Sequence, residues 1–232
     1  MNEHIVKQFD TDLENIRTKV LQMGGLVEQQ IVKAMEGLIE GDMTLIEQTI
    51  DNDDRVNRHE VELDEACTNV IARRQPTAVD LRMVMMVVKT ITDLERIGDE
   101  AKKIAKMARA VHSADTHFVP RIELRHVAGL AVDMLRKALD AFARLDLTAA
   151  AQVVRQDREV DAEFKSIMRQ LITFMMEDPR TITRSLDFLF IAKSIERIGD
   201  HAKNISEYVV YMAKGRDVRH IGLEAIEKEV AG

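Results

Sequence analysis

The chain has 232 residues, and its 33 Lys and Arg against 40 Asp and Glu give a formal net charge of −7. Ten glycines, three prolines and 4% aromatic residues exclude a turn-dense β-sandwich, and the 46% hydrophobic content excludes wholesale disorder. The acidic balance gives no overall electrostatic case for binding nucleic acid. We therefore expect an all-α protein built from long helices.

The setting of the protein is predicted from its apolar runs and its one cysteine. The longest apolar runs, such as 83–88, fall far short of the roughly 20 residues that span a bilayer. Acids near the start of the chain break the apolar stretch that a secretion signal needs. Cys67 cannot form an internal disulfide, and its helical spacing from Leu63 and Val70 predicts a buried thiol. Together these features predict a cytoplasmic protein.

An internal repeat organises the chain. Residues 95–104 read ERIGDEAKKI and residues 196–205 read ERIGDHAKNI, so eight of ten positions are identical at an offset of 101. Residues 33–42 align with 137–146 at an offset of 104, and the polar segment 112–120 separates the two copies. The predicted divisions are a first three-helix bundle, 1–115, a second three-helix bundle, 116–215, and a C-terminal tail, 216–232.

The predicted helices follow from apolar residues that recur every three or four positions. Asp42, Asp146 and Asp178 are predicted N-caps, the last followed by proline, and Thr77 with Asp80 has capping-box spacing. Long helices joined by short turns pack antiparallel, which predicts two tandem, pseudo-symmetric three-helix bundles. The predicted helices span about 9–39, 43–74, 76–112, 120–145, 147–177 and 179–213.

The third helix of the first unit carries two acids one turn apart, Glu95 and Asp99, which share a face beside the apolar seam. Asp53 and Asn57 have the same spacing on the second helix. If the turn between these helices centres on 75–76, Glu95 faces Asn57 and Asp99 faces Asp53. The hairpin therefore predicts a cluster of four oxygen-bearing side chains.

The second unit repeats this arrangement around its own turn. Glu196 is predicted to face Asp161, and Asp200 to face Asp157. Carboxylate and amide oxygens without a lysine suit a hard cation such as Mg, Ca, Mn or Fe rather than Zn. All eight residues are therefore candidate metal ligands.

A solvated charged face is the other interpretation of these acids. Acidic pairs on long helices commonly have lysine partners, and Asp99 with Lys103 has the spacing of an i,i+4 ion pair. In the second copy Asn204 replaces that lysine, which weakens this interpretation. The spacing alone leaves both interpretations open.

Three further residues lie in or beside the repeated motif. Gly98 and Gly199 interrupt helix interiors at a cost of about 1 kcal/mol each relative to Ala. Close approach of a neighbouring helix is the favoured explanation, and access of a ligand or partner to the backbone is the alternative. His201, beside Asp200, is expected to be a surface histidine rather than a nitrogen ligand.

The doubled ERIGD motif, the QPTAVDLR run at 75–82 and the MGGLVEQQI segment at 23–31 resemble the PhoU family of phosphate-signalling regulators. The resemblance covers essentially the whole chain and implies two pseudo-symmetric three-helix bundles, with metal clusters held by E(D)xxxD motifs in some members. Carried over to this sequence, those motifs are Glu95/Asp99 and Glu196/Asp200, with Asp157/Asp161 as a D-xxx-D partner.

Two departures from the family pattern bear on these expectations. Asn57 replaces an acid, so the first cluster is expected to be less charged and weaker for metal. The second unit lacks the DLR string, so no duplicate of any role of Asp80 and Arg82 is expected.

The resemblance implies a non-enzymatic negative regulator of the phosphate regulon and of phosphate uptake. Such a protein is a cytoplasmic adaptor between the ATPase subunit of the phosphate ABC transporter and a phosphate-sensing histidine kinase. It reaches the membrane only through these partners, forms a homodimer and has no nucleic-acid partner. Divalent or iron-type metal ions (Mg, Mn, Ca, Fe or Zn) are the implied cofactors.

Two alternatives come from other functional classes. A ferritin-like carboxylate-bridged metal enzyme needs Glu-x-x-His motifs on two facing helices, and the sequence offers one, Glu123 to His126. A structural helical spacer would use the long helices without any partner. No nucleophile and base are spaced for catalysis in the sequence.

Overall fold

The computed structural model describes residues 7–113 and 122–218, with residues 221 and 225. These residues contain six long helices, a short 3₁₀ turn at Pro179–Thr181 and no strand, which confirms the all-α prediction. The division predicted between 115 and 116, and most of the tail 216–232, lie outside them. The helices are α1 (Lys7–Glu40), α2 (Met43–Arg74), α3 (Ala78–His112), α4 (Leu124–Arg144), α5 (Leu147–Glu177) and α6 (Ile182–Lys214).

Carboxylate caps begin three of the predicted elements. Asp42 accepts from the Thr44 N–H at 2.8 Å, and Asp146 and Asp178 cap α5 and the 3₁₀ turn in the same way. The capping box at Thr77 is wrong, since the Thr77 side chain makes no capping bond. The Asp80 N–H that it would have capped donates to the Thr77 carbonyl at 3.1 Å instead.

Helices α1–α3 form one bundle and α4–α6 form the other, each around an apolar interior. The predicted seams are buried, including Leu94 and Ile97 in α3 and Ile195 and Ile198 in α6. Cys67 is also buried, as predicted, and burial raises the pKa of its thiol to about 12. Within the described residues, no helix has both the length and the apolar content that crossing a bilayer requires.

The two bundles are joined by α3 and α6, which pack antiparallel along their lengths. At one end Arg184 donates to the Ala110 carbonyl at 3.1 Å, in the last turn of α3. At the other end the Arg82 guanidinium lies over the Tyr211 ring and against Gly215, which ends α6 at φ 73°. Cations at helix C-termini complement the helix dipole. Arg82 and Arg184 thus lie at opposite ends of the α3–α6 pair, although Thr183, and not Arg184, aligns with Arg82 at the repeat offset of 101.

Candidate carboxylate clusters

In the first unit a lysine binds the buried acid. Asp53 of α2 is 1% exposed, and Lys102 Nζ lies 2.7 Å from its Oδ2 atom. This hydrogen bond raises the pKa of Lys102 above its usual value, and the Asn57 amide reaches the same oxygen at 3.5 Å. The prediction of a cluster without lysine is therefore wrong. The repeat could have predicted this lysine, because both copies have lysine at the same position, Lys102 and Lys203.

The other acids of the first cluster lie close enough to repel one another. Burial, and then the charges of Asp99, Glu60 and Asp53, raise the pKa of Glu95. Glu60 was missed from the sequence, although it lies one turn beyond Asn57 on α2, and its own pKa is raised by burial and by neighbouring acids. Glu95 forms no ion pair with any residue that the structure describes. The hairpin register thus brings these acids together.

Several buried polar atoms beside these acids have no hydrogen-bond partner among the described residues. Both polar atoms of the Gln30 amide, Asp53 Oδ1 and Asn57 Oδ1 are buried and unpartnered. A Cβ atom added to Gly98 would lie 3.1 Å from Gln30 Oε1 and 3.7 Å from Asp53 Oδ1. Gly98 therefore allows the close approach of side chains from α1 and α2. Buried polar atoms of this kind mark places for an ordered water or a cation.

The second cluster has more of its charge neutralised. Lys203 Nζ lies 2.7 Å from Asp157 Oδ2, and Lys193 binds Glu196. Burial, followed by the charges of Glu196 and Asp157, raises the pKa of Asp200 to about 6. Asp161 is half-buried, one turn beyond Asp157 on α5. Glu196, Asp200 and Asp157 are therefore neighbours, which agrees with the predicted pairing of Asp200 with Asp157, whereas the predicted pairing of Glu196 with Asp161 stays a prediction.

The fit of these clusters to a metal has two sides. Carboxylate and amide oxygens are the ligand atoms that hard cations prefer. In the first cluster, Asp53 Oδ1 and Asn57 Oδ1 have no hydrogen-bond partner and are available as metal ligands. As the side chains stand, however, no three His, Cys, Asp or Glu residues of the described ranges are arranged to hold a metal ion. Metal binding by the eight residues stays a prediction.

The ion pair predicted between Asp99 and Lys103 is wrong, because Lys103 Nζ binds Glu100 at 2.9 Å instead.

Sequence reasoning also missed a buried polar contact between the bundles. His201 is 8% exposed, and its Nδ1 atom lies 2.7 Å from Asp93 Oδ1. Glu100 of α3 is also buried and accepts from Arg197 of α6 at 2.9 Å. The expectation of a surface histidine is wrong because α3 covers this face of α6. The packing of one bundle on the other left no signal in a single sequence.

The Glu-x-x-His string has a local structural use. Glu123 accepts from the His126 N–H at 3.3 Å and caps α4. Both side chains are exposed. The motif therefore begins a helix at the surface instead of projecting into a bundle.

Comparisons with known proteins agree along the whole chain. The PhoU domain family matches residues 20–108 and again 124–209. The phosphate-specific transport system accessory protein PhoU of Escherichia coli is 47% identical over 100% of this chain and 96% of its own length. A Pseudomonas aeruginosa homologue of that protein is 46% identical over 99% and 95%. A relative of the same description from Serratia marcescens is 51% identical over 98% of this chain and 93% of its own.

Two solved structures share the fold. The crystal structure of PhoU from Pseudomonas aeruginosa superposes with a TM-score of 0.86 at 44% identity, over 90% of this chain and 100% of that one. The phosphate transport system regulatory protein PhoU from Streptococcus pneumoniae gives 0.83 at 27% identity, over 90% and 99%. The two repeats seen in the sequence coincide with the two matched domains.

Proposed function

Because the chain belongs to the PhoU family, we propose that it is a negative regulator of the phosphate regulon and of phosphate uptake. It acts as an adaptor between the ATPase subunit of a phosphate ABC transporter and a phosphate-sensing histidine kinase, both of which it meets in the cytoplasm. The observation that carries this proposal is similarity over the whole length to proteins named as accessory to phosphate-specific transport.

The architecture supports a binding role over a catalytic one. Two bundles joined by buried α3–α6 contacts present long helix faces to partners, as adaptors require. The thiol of Cys67 is buried with a pKa of about 12, so it is a poor nucleophile. Glu123, the acid of the oxidase-like motif, serves as a helix cap. These observations favour a non-enzymatic adaptor over a ferritin-like enzyme.

A gene deletion tests the regulatory proposal. In high phosphate, the deletion strain is expected to express a phosphate-starvation reporter that the parent keeps silent, because the kinase is no longer restrained. Expression of the wild-type chain from a plasmid should silence the reporter again. A reporter that stays silent in the deletion strain contradicts the proposal.

Both carboxylate clusters are also proposed to take a hard divalent or iron-type cation, which would neutralise the repelling acids. Glu95, Asp99, Asp53 and Asn57 would hold it in the first unit, with Glu60 adding negative charge nearby. The second-unit ligands would be Glu196, Asp200, Asp157 and Asp161. In each unit the ion competes for the buried acid with a lysine ammonium group.

Metal analysis of the purified protein tests this part independently. Glu196→Ala/Asp200→Ala and its first-unit counterpart Glu95→Ala/Asp99→Ala are each expected to lose the metal of their own cluster. Pulldowns with the ATPase subunit and the kinase, run on the same samples, separate metal binding from signalling. Equal metal content in the wild type and both variants contradicts the metal proposal and leaves the regulatory one standing.

A further inference from the structure

The tip of the α5–α6 hairpin exposes five large apolar side chains. On α5, Ile172 and Met176 are one turn apart and exposed, Met176 to 80%. On α6, Ile182, Leu186 and Phe190 recur every four residues, and Phe190 is 57% exposed. This spacing puts each set on one face of its helix, and the Asp178–Thr181 turn brings the two helix ends together. We name these five residues the tip surface.

The first unit lacks most of this surface. Leu81 and Met85 are exposed at the positions of Ile182 and Leu186, but Lys89 takes the place of Phe190 and lies over the Tyr208 ring. On α2, Thr68 and Ala72 align with Ile172 and Met176. The α2–α3 hairpin of the first unit also exposes Val79, at the beginning of α3. The extended apolar stripe is thus specific to the second unit, so the bundle fold does not require it.

The size of the tip surface favours a transient partner. The α6 stripe from Ile182 to Phe190 is about 12 Å long at 1.5 Å per residue. Two such helix faces give a patch on the order of several hundred Å², the size of the largest apolar patch on a typical monomer, and such patches are often functional. A stable interface buries roughly 1,200–2,000 Å² in total. The patch is too small by itself for a stable dimer.

The charges beside the tip surface indicate what occupies it. Lys165 and Arg169 share the α5 face of Ile172 and Met176, at a spacing of three or four residues, and their side chains bind no described residue. The acids around the turn already have partners, Asp178 with Arg180 and Asp187 with Arg184. Glu177 is exposed but lies about 100° around α5 from Met176. The free charge next to Ile172 and Met176 is therefore positive, while Asp161, one turn before Lys165 on α5, belongs to the second carboxylate cluster.

We propose that the tip surface docks a helical segment of a partner protein that carries an apolar stripe flanked by acidic residues. The apolar stripe would bury the tip surface, and the acids would pair with Lys165 and Arg169. The overall net charge of −7 disfavours an anionic membrane as the occupant. This inference rests on the proposed adaptor function, since it names the surface that one of the two partners uses.

Binding measurements with purified partners test the inference. The probes are the ATPase subunit of the phosphate transporter and the cytoplasmic part of the kinase from the same organism. Ile182→Ser/Leu186→Ser is expected to weaken binding to one of them at least about tenfold, as for central residues of an interface. The matched control Leu81→Ser/Met85→Ser, at the equivalent positions of the first unit, should change Kd by less than about threefold. Thermal unfolding confirms that both variants fold.

A charge reversal tests the acidic flank. Lys165→Glu/Arg169→Glu is expected to slow association and weaken binding to the same partner about tenfold at low salt, with a smaller effect at high salt because salt screens these charges. A variant that binds as tightly as the wild type at low salt contradicts an acidic partner.

The outcomes separate this inference from the adaptor function. If the wild type binds a probe and Ile182→Ser/Leu186→Ser binds it equally well, the inference is wrong and the adaptor function stands. If the wild type binds neither probe, both are wrong. Sedimentation and flotation with anionic phospholipid vesicles complete the test. Self-association or vesicle binding that Ile182→Ser/Leu186→Ser abolishes would make a second copy or a membrane the occupant and overturn the proposal.

Discussion

In the first unit, Asp53 is buried with Gln30 and binds the partly exposed Lys102, whereas in the second unit Asp157 is buried with Met134 and binds the partly exposed Lys203. Both buried acids bind their lysine at 2.7 Å. Gln30 and Met134 align at the offset of 104, and each lies beside the glycine of its own ERIGD motif. Each buried aspartate is therefore paired with a lysine in both units, whereas the residue that the first helix of each unit contributes differs between them.

The acids above these pairs differ as well. Lys193 neutralises Glu196 in the second unit, but Thr92 stands at the equivalent position in the first, and Glu95 has a raised pKa. Glu60 adds a further acid where the second unit has Phe164. The first cluster thus carries more uncompensated charge than its sequence suggested, despite Asn57. A duplicated motif fixes the positions of its acids, and its surroundings set their charge balance.

Removal of the two lysines is expected to give the largest effect. Lys102→Met should lower the free energy of unfolding by about 2–3 kcal/mol because it leaves the Asp53 carboxylate buried and unpaired. Lys203→Met should cost about 1–2 kcal/mol, since Asp157 is slightly more exposed. Urea unfolding at neutral pH with a chelator measures both.

The exposed Lys106 of α3 supplies the control for this comparison. Lys106→Met should change the free energy of unfolding by less than about 0.5 kcal/mol. Asp53→Asn added to Lys102→Met should recover much of the loss, because it removes the buried charge. A Lys102→Met variant as stable as Lys106→Met would show that Asp53 does not depend on its lysine.

Exchange of Gln30 and Met134 tests how a polar side chain from the first helix of each unit affects stability. Met134→Gln should lower the free energy of unfolding by about 2 kcal/mol, because it buries an amide beside Val160 and Gly199. Gln30→Met should change it by less than about 1 kcal/mol, because the substitution removes both buried polar atoms of the amide together and Met134 fills the equivalent position of the second unit. Chemical unfolding of both variants checks the unequal costs. A loss for Gln30→Met as large as that for Met134→Gln would contradict this difference between the two units.

The two motif glycines are expected to respond differently to alanine. Gly199→Ala should raise the free energy of unfolding by about 0.5–1 kcal/mol through helix propensity, because the added Cβ makes ordinary contacts of 3.4 Å or more. Gly98→Ala should lower it by about 1 kcal/mol, since the Cβ would crowd Gln30 Oε1 at 3.1 Å and Val56 at 3.3 Å. Thermal unfolding of both variants should rank Gly199→Ala above Gly98→Ala. The reverse ranking would contradict the tighter packing of the first unit.

The smallest expected effect depends on pH. The pKa of Asp200 is raised from 3.8 to about 6 in the folded protein, so its contribution to stability is present below about pH 4 and is lost as pH rises through 6. Asp200→Asn should therefore raise the free energy of unfolding at pH 7.5 by about 0.5–1 kcal/mol after allowance for solvent screening. The gain should disappear below about pH 4.

Asp140, an exposed acid on α4, provides the matched control. Asp140→Asn should show no comparable gain at any pH when both variants unfold in urea with a chelator present. A gain for Asp200→Asn that persists unchanged at pH 4 would contradict the raised pKa.

The sequence by itself determined the helices and their order. Apolar periodicity and aspartate caps placed α2 at Met43–Arg74 and α5 at Leu147–Glu177, as observed, because these signals act over a few neighbouring residues. The repeat and the hairpin register also brought Glu95, Asp99 and Asp53 to one place. Local geometry suffices for such predictions, since antiparallel helices with a short turn have one register.

Only the tertiary structure decided how the acids are compensated and how the bundles meet. Lys102 reaches Asp53 across the α2–α3 hairpin, and His201 reaches Asp93 across the interface between the bundles. The choice between Glu100 and Asp99 as the partner of Lys103 depends on which face of α3 is covered by α6. Such contacts depend on side-chain direction and on the packing of distant segments, neither of which helical spacing specifies.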